Sequence, residues 1–264
     1  MNTTHWNRPV VIVGPGQMGG VFGRGFLAAG HPVYPVTAAM RPADTAEKMP
    51  RPAFVLVAVP EKVLPQVLNQ VPSAWQDRLV LIQNELLPYQ WEAAQIPLPT
   101  VMAVWFEKKK GRGVHVFQPS PVFGPHAEGI RTALDRLDIP CRVLPDETEM
   151  RTELIKKNLF VLTINIAGLA VGGRTGELWA GHEKRVRRIA HDVLDIMEAV
   201  TRTTCDREDL LAFLRHILAA VPDHECRGRV AADRLNRTLH LARTHDLQPS
   251  ALLEIAASLP SETR

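Results

Sequence analysis

The order of apolar and polar positions divides the chain into two textures. From Val10 to about residue 146, short apolar runs alternate with helical ones. The runs Val10 to Val13, Val33 to Val36, Ala53 to Val59, Leu79 to Ile82 and Val101 to Val104 are too short for helices and too apolar for solvated loops. Alternation of this kind predicts a parallel sheet with helices on both faces. Prolines 60, 72, 88, 97 and 99 fall between the runs, where a missing N–H does little harm. The same pattern predicts a hairpin from Val114 to Phe117 with Val122 to Phe123, a helix from Ala127 to Leu137, and a late strand at Arg142 to Leu144. After Pro145 the texture changes, because proline almost vanishes until Pro222. A helix is predicted from Asp146 to about Ala170, apolar on every side and therefore buried. Further helices are expected over Lys184 to Val200, Asp209 to Val221, Arg229 to Asp246 and Ser250 to Ser258.

The first strand runs directly into VVIVGPGQMGGVFGRGFLAAG, a G-x-G-x-x-G turn that opens a helix, with Gly30 as its stop. Gly14 permits the bend, Gly16 lets backbone approach a pyrophosphate, and Gly19 lets helix pack closely on strand. The N–H groups at Gln17 and Met18 then face the phosphates with the positive end of the helix dipole. The bland alternative is a structural glycine turn. At the end of the second strand, where a carboxylate would hold the ribose hydroxyls of NAD, stand Thr37 and Arg41, with no acid before Asp44. A hydroxyl and a guanidinium suit a 2′-phosphate, which favours NADP, although Arg41 also reads as a solvated loop residue. The fold class expected is α/β: a Rossmann doubly wound sheet followed by an all-helical C-terminal domain. The domains expected are 1–146, NADP-binding, and 147–264, helical and serving substrate binding or dimerisation.

Composition narrows the setting without naming a reaction. With 264 residues, a formal charge of +3, 45% hydrophobic and 22% charged residues, the chain reads as an ordinary globular protein, not a disordered or nucleic-acid-coating one. Cys141, Cys205 and Cys226 are far apart with no CxxC, so neither a disulfide framework nor a metal site is expected. No leader or membrane partner is expected, and the location read from these signals is cytoplasmic. Lys108, Lys109, Lys110 and Arg112 read as a solvated hairpin loop, and no nucleic-acid partner is expected. A GxSxG hydrolase elbow is absent.

Polar residues inside the apolar helix need partners, because a buried amide or ammonium without one costs about 1–3 kcal/mol or more. At 100° per residue, Lys157, Asn158 and Asn165 share an arc of about 100°. Lys156 and Thr163 share a different arc. An ammonium and two amides on one face suit holding and protonating an oxygen. Equally, the lysines could be solvated near the helix start, with Asn165 satisfying a core hydrogen bond.

The glycine turn, Ile82-Gln83-Asn84 at a strand end, Phe123-Gly124-Pro125, and Lys157 nineteen residues before Gly176-Glu177-Leu178 together resemble the ketopantoate reductases. In that family a hydride from NADPH reduces the ketone of a branched 2-oxo acid, and a helix lysine acts as general acid. The resemblance implies Lys157 as that acid, Asn165 as a catalytic and substrate-binding amide, and Asn84 beside the nicotinamide. It aligns Asp223 and Asn236 with substrate-binding residues. The chain departs from the pattern at Val161, where the family has asparagine, and at Glu85, where it usually has glycine. The family's C-terminal serines and glutamate have no counterpart in LAAVPDHECRGRVAADRLN. Arg227 and Arg229 could meet a carboxylate in their place, and His224 is an alternative proton donor.

The leading expectation is an NADPH-dependent reductase of a small carbonyl compound, a 2-oxo acid, with its site in the cleft between the domains. A small-molecule substrate is the expected partner, and a homodimer is open. The departures support a rival of another class, a non-catalytic NADP-binding sensor or partner-organising protein. Imine reduction is a third reading.

Overall fold

A computed structural model describes residues 7–260. The chain divides into two compact units, Met1–Leu154 and Ile155–Arg264. In the first, β1 (Val10–Val13) leads to α1 (Gln17–Ala28), β2 (Val33–Val36), α2 (Pro42–Lys48), β3 (Val55–Val57) and α3 (Leu64–Asn69). Then come β4 (Leu79–Leu81), α4 (Pro88–Ala93), β5 (Thr100–Met102), β6 (Phe106–Lys108), β7 (Val114–Val116), β8 (Ser120–Phe123), α5 (Ala127–Asp135) and β9 (Cys141–Val143).

The main sheet has the order β2-β1-β3-β4-β5-β8-β9. Its first five strands are parallel. β8 runs antiparallel to β5, and β9 parallel to β8. The chain leaves β1 for β2 on one side and returns to β3 on the other, so the strand order reverses between β1 and β3. Crevices at such a switch point are where open α/β sheets hold ligands. The strands lack polar alternation because they are covered on both faces: Val10, Ile12, Val55, Leu56, Val80 and Leu81 are all at most 1% exposed.

The predicted hairpin of Val114–Phe117 with Val122–Phe123 does not form. β7 pairs instead with β6, across the basic turn at Lys109–Gly113, while β8 joins the main sheet between β5 and β9. Burial explains the choice: β8 is almost wholly buried, β7 only partly. The Ser120 hydroxyl also accepts the Trp105 N–H at 2.8 Å, fixing the start of β8 in the core.

A single long helix, α6 (Glu147–Val171), spans the dividing line and is followed by α7 (Thr175–Thr201), α8 (Arg207–Ala220), α9 (Ala231–Thr244) and α10 (Ser250–Ser258). The division falls inside α6 and not at residue 146, where the prolines stop. Glu153 is nearly buried and pairs with Arg142 of β9 at 2.9 Å, which ties the first turns of α6 to the sheet. α6 has the length and apolar composition of a membrane-crossing helix, but 78% of its most apolar window is buried within the protein. α7 starts nine residues earlier than the apolar pattern suggests, with non-helical backbone at His182 (φ −139°). Its start is fixed by Glu177, whose carboxylate accepts the Arg174 N–H at 3.1 Å. Val186, Ile189, Ala190, Val193 and Met197 form the stripe by which α7 packs on its neighbours. Asp192 on the same helix accepts the N–H groups of Ala251 (2.7 Å) and Leu252 (3.1 Å), capping α10.

Candidate functional site

The glycine turn sits at the end of β1, against β3, and each of its glycines has a different reason. Gly14 has φ +87°, and a Cβ there would lie 2.9 Å from the Ala58 carbonyl oxygen. Gly19 is buried, and its Cβ would meet the Gly14 oxygen at 2.5 Å, so strand, turn and helix approach as closely as backbone allows. Gly16 is exposed, with nothing within 4 Å of where its Cβ would be. It is the N-cap of α1, makes no side-chain cap, and the first helical turn contains no acid. Gln17 is exposed at the first helical position and Met18 packs against the core. An uncapped, acid-free helix start with open space beside it fits the diphosphate of a dinucleotide. Both the cradle that side chains would fill and the open approach at Gly16 are therefore present.

At the end of β2, Thr37 and Arg41 are exposed. The Arg41 side chain is 80% exposed and only 4.0 Å from Asp44, a loose surface pair that leaves the guanidinium available to an anion. After β4, Asn84 is half-buried, and its backbone N–H donates to the Glu61 carboxylate at 3.0 Å. Glu61 carried no recognisable signal, since it lies in a short turn after β3. Gln83 beside it is 4% exposed and donates to the Val57 oxygen (2.8 Å) and the Val59 oxygen (3.3 Å), while accepting the Ile82 N–H. Gln83 clamps the ends of β3 and β4 and thereby positions Asn84.

In the second unit, Lys157, Asn158 and Asn165 of α6 are 4%, 2% and 4% exposed. A lysine ten residues inside the helix and this deeply buried is not a solvated end residue. Its ammonium lies 5.9 Å from the centre of the Phe160 ring, whose other neighbour is the His224 ring, 6.2 Å away centre to centre. The structure thus brings His224, from a distant loop, to the ring that Lys157 also touches. Asn165 donates to the Val161 oxygen, one turn back, at 3.0 Å. Its Oδ1 is buried with no hydrogen-bond partner among the described residues. An acceptor left unpaired in this way costs about 1–3 kcal/mol, and it is free to take a hydrogen bond from a bound molecule.

The loop after α8 closes on this face. A Cβ on Gly168 would collide with the Cys226 carbonyl carbon at 2.6 Å and the Arg227 nitrogen at 2.7 Å, and one on Gly228 would meet Asn165 Oδ1 at 2.9 Å. Neither glycine was recognisable in the sequence, because a lone glycine in a helix or loop gives no periodic signal. Asp223 is differently engaged: its side chain is 88% exposed and pairs with Arg174 at 2.8 Å. Asn236 lies on the exposed side of α9, and Arg227 and Arg229 are exposed. The cysteines are free thiols, and burial pushes that of Cys226 up to about 12.

No protein-family model matches the chain, and no curated protein matches it in sequence. Solved structures do match in fold. A 2-dehydropantoate 2-reductase from Methylococcus capsulatus superposes with a TM-score of 0.67 over 94% of each chain, at 14% identity. A probable 2-dehydropantoate 2-reductase from Bacillus subtilis gives 0.70 over 95% of this chain and 98% of its own, at 13% identity. D-Mandelate dehydrogenase, in complex with NADH, gives 0.71 over 97% and 98%, at 11% identity. The chain has the fold of these enzymes along nearly its whole length: a Rossmann sheet followed by a helical region.

Proposed function

We propose that this protein is a nicotinamide-dependent reductase of small 2-oxo acids that uses NADPH. The observation that carries the reading is the pairing, on one helix, of a buried ammonium at Lys157 with a buried, unpartnered amide oxygen at Asn165. Folding alone disfavours the unpartnered amide oxygen, whereas carbonyl reduction uses both groups. The named activities of the fold neighbours, on 2-dehydropantoate and on mandelate, support the same reaction class.

A bound nicotinamide would supply the hydride that goes to the carbonyl carbon. The protein supplies the rest. Lys157 gives a proton to the carbonyl oxygen as the C=O bond becomes C–OH, and recovers it from solvent. Asn165 accepts a hydrogen bond from the hydroxyl so formed, which stabilises the reduced product and the late transition state. The first turn of α1 binds the diphosphate, while Gln83 holds Asn84 at the nicotinamide end. Thr37 and Arg41 favour a 2′-phosphate over a bare ribose, the support for NADPH. The neighbour solved with NADH shows that this fold also accommodates the unphosphorylated cofactor.

The test is nicotinamide oxidation with a panel of 2-oxo acids, beside binding isotherms for NADPH and NADH. Turnover that falls by about 10²- to 10⁴-fold in Lys157→Ala, with NADPH affinity unchanged, is the expected result. Tight NADPH binding with no turnover across the panel would transfer the support to a cofactor-sensing protein. The exposed, ion-paired Asp223 and the exposed Asn236 are the observations that favour that second reading.

A further inference from the structure

The second unit contains a cavity of about 490 Å³ whose lining includes neither Lys157 nor Asn165. Its apolar lining comes from Leu169 in the last turn of α6, Ala251 and Ile255 of α10, and Leu259 just beyond α10. Its charged lining is Arg185 and Arg188 of α7, Glu254 of α10, and Arg227 of the loop after α8. These walls are held by contacts of their own. Arg188 pairs with Glu254 at 2.8 Å, and the Asp192 carboxylate caps α10, so two separate contacts fasten α10 to α7. Arg227 is brought up from the other side, because Gly168 lets its loop lie on the α6 backbone.

The charges around the cavity do not balance. With Arg188 matched by Glu254, Arg185 and Arg227 remain, and neither guanidinium has a hydrogen bond or ion pair among the described residues. The last turns of α6 and α10 border the same space, yet their carbonyls take nothing from either arginine. Ser258, a further polar side chain of the lining, donates to the Ile255 oxygen at 2.7 Å. Two unmatched guanidinium groups beside an apolar wall call for a ligand with two negative charges and an apolar body. A phosphate monoester carries about −1.5 to −2 at neutral pH, and its oxygens suit the planar donor fork of arginine. A volume of about 300–1,000 Å³ with an apolar lining and a few charged groups is the usual form of a small-molecule site.

We propose that this cavity is a second ligand site, separate from the glycine turn and from Lys157, and that it binds a small phosphate monoester with an aliphatic body. The proposal does not depend on the reductase reading. Titration calorimetry with hexyl phosphate tests it, with inorganic phosphate, hexanol and hexanoate as its parts. Hexyl phosphate should bind at least about 10-fold more tightly than any of the three, since only it offers both charges and the apolar chain. Arg185→Gln and Arg227→Gln should each weaken it by about 10-fold or more, the loss of a charge-assisted contact. Both positions are exposed, and thermal melts establish that the variants are folded. Gly16→Ala and Arg41→Ala, at the anion-binding positions of the first unit, should leave the isotherm unchanged. No binding of hexyl phosphate would overturn the proposal, as would affinity unmoved in both arginine variants. Weakening in Gly16→Ala would move the phosphate to α1 and overturn it equally. Inorganic phosphate binding as tightly as the ester would remove the apolar wall from the site, and hexanoate binding as tightly would remove the need for two charges; either refutes the ligand class.

Discussion

Gly16 caps the start of α1 and Gly25 lies in its last turn, and alanine at each should produce opposite defects. A Cβ on Gly25 would sit 2.4 Å from the Ala133 carbonyl oxygen and 3.4 Å from the Ala133 Cβ, a backbone collision that only a shift of α1 against α5 can relieve. Overpacking of this kind costs about 1–3 kcal/mol. At Gly16 the added methyl meets nothing, and φ −76° is open to alanine, so the stability cost is limited to the poorer N-cap, about 1 kcal/mol or less. The same methyl projects into the open approach to the N–H groups at Gln17 and Met18. Displacing one charge-assisted hydrogen bond to a phosphate costs about 1.5–3 kcal/mol, which is about 10- to 150-fold in affinity. Urea denaturation without ligand and NADPH isotherms therefore separate the two: Gly25→Ala loses stability and keeps its affinity, Gly16→Ala the reverse. An unchanged NADPH isotherm in Gly16→Ala would refute the reasoning, and the turn would then be a structural bend.

Three further outcomes follow from particular contacts. Arg41→Ala should weaken NADPH by about 10-fold or more and leave NADH unchanged, since a lost guanidinium–phosphate contact is worth about 1.5–3 kcal/mol; equal effects on both would remove Arg41 from the 2′-phosphate. Asn165→Ala should cost less than about 2 kcal/mol despite deep burial, because removing an unpaired acceptor offsets part of the lost packing, while turnover falls; a larger stability loss measured in urea with turnover intact would make Asn165 a structural residue. Burial pushes the Glu198 carboxyl up, but the Arg207 guanidinium and the Cys205 N–H at 2.9 Å outweigh it and hold it below its ordinary range. Because folding lowers this pKa, the stability it provides is full above the unfolded carboxylate value and is lost as pH falls through the folded one. Glu198→Gln should therefore be less stable than the parent by about 1 kcal/mol at pH 7, with the gap closing below about pH 4; a gap that persists in acid would show that packing, not charge, is involved.

What was legible in the sequence was whatever repeats or sits next to its partner. The turn from Val13 through Gly19, the stop at Gly30 and the helix Ser250–Ser258 are local patterns, and the structure has them where the pattern put them. The errors came where pairing is decided at a distance. Val114–Val116 and Ser120–Phe123 are neighbours in sequence, yet the second is the more buried and finds β5 and β9, which no local rule weighs against a tight hairpin. The start of α7 was missed for a related reason: Thr175 and Gly176 look like breakers, but their N–H groups are taken by the His224 and Pro222 oxygens at 3.0 Å, from a loop almost fifty residues on.

The candidate site divides along the same line. Arcs on a helix wheel placed Lys157 and Asn165 on one face, because that face is a property of α6 alone. The surroundings that give those residues chemical meaning come from elsewhere in the second unit. His224 reaches Phe160, and Gly228 reaches Asn165, only because Gly168 lets the loop lie on the helix backbone. Glycine is the informative residue in each case, yet its meaning depends on what a side chain would have touched. Open space at Gly16 points to an approaching ligand, whereas backbone at Gly19, Gly25 and Gly168 points to packing. Asn165 follows the complementary logic for polar atoms. Its amide N–H is satisfied within its own helix, so a helix wheel can account for it; its oxygen is satisfied by nothing in the described chain, and that oxygen is the part of the residue that the proposed reaction would use.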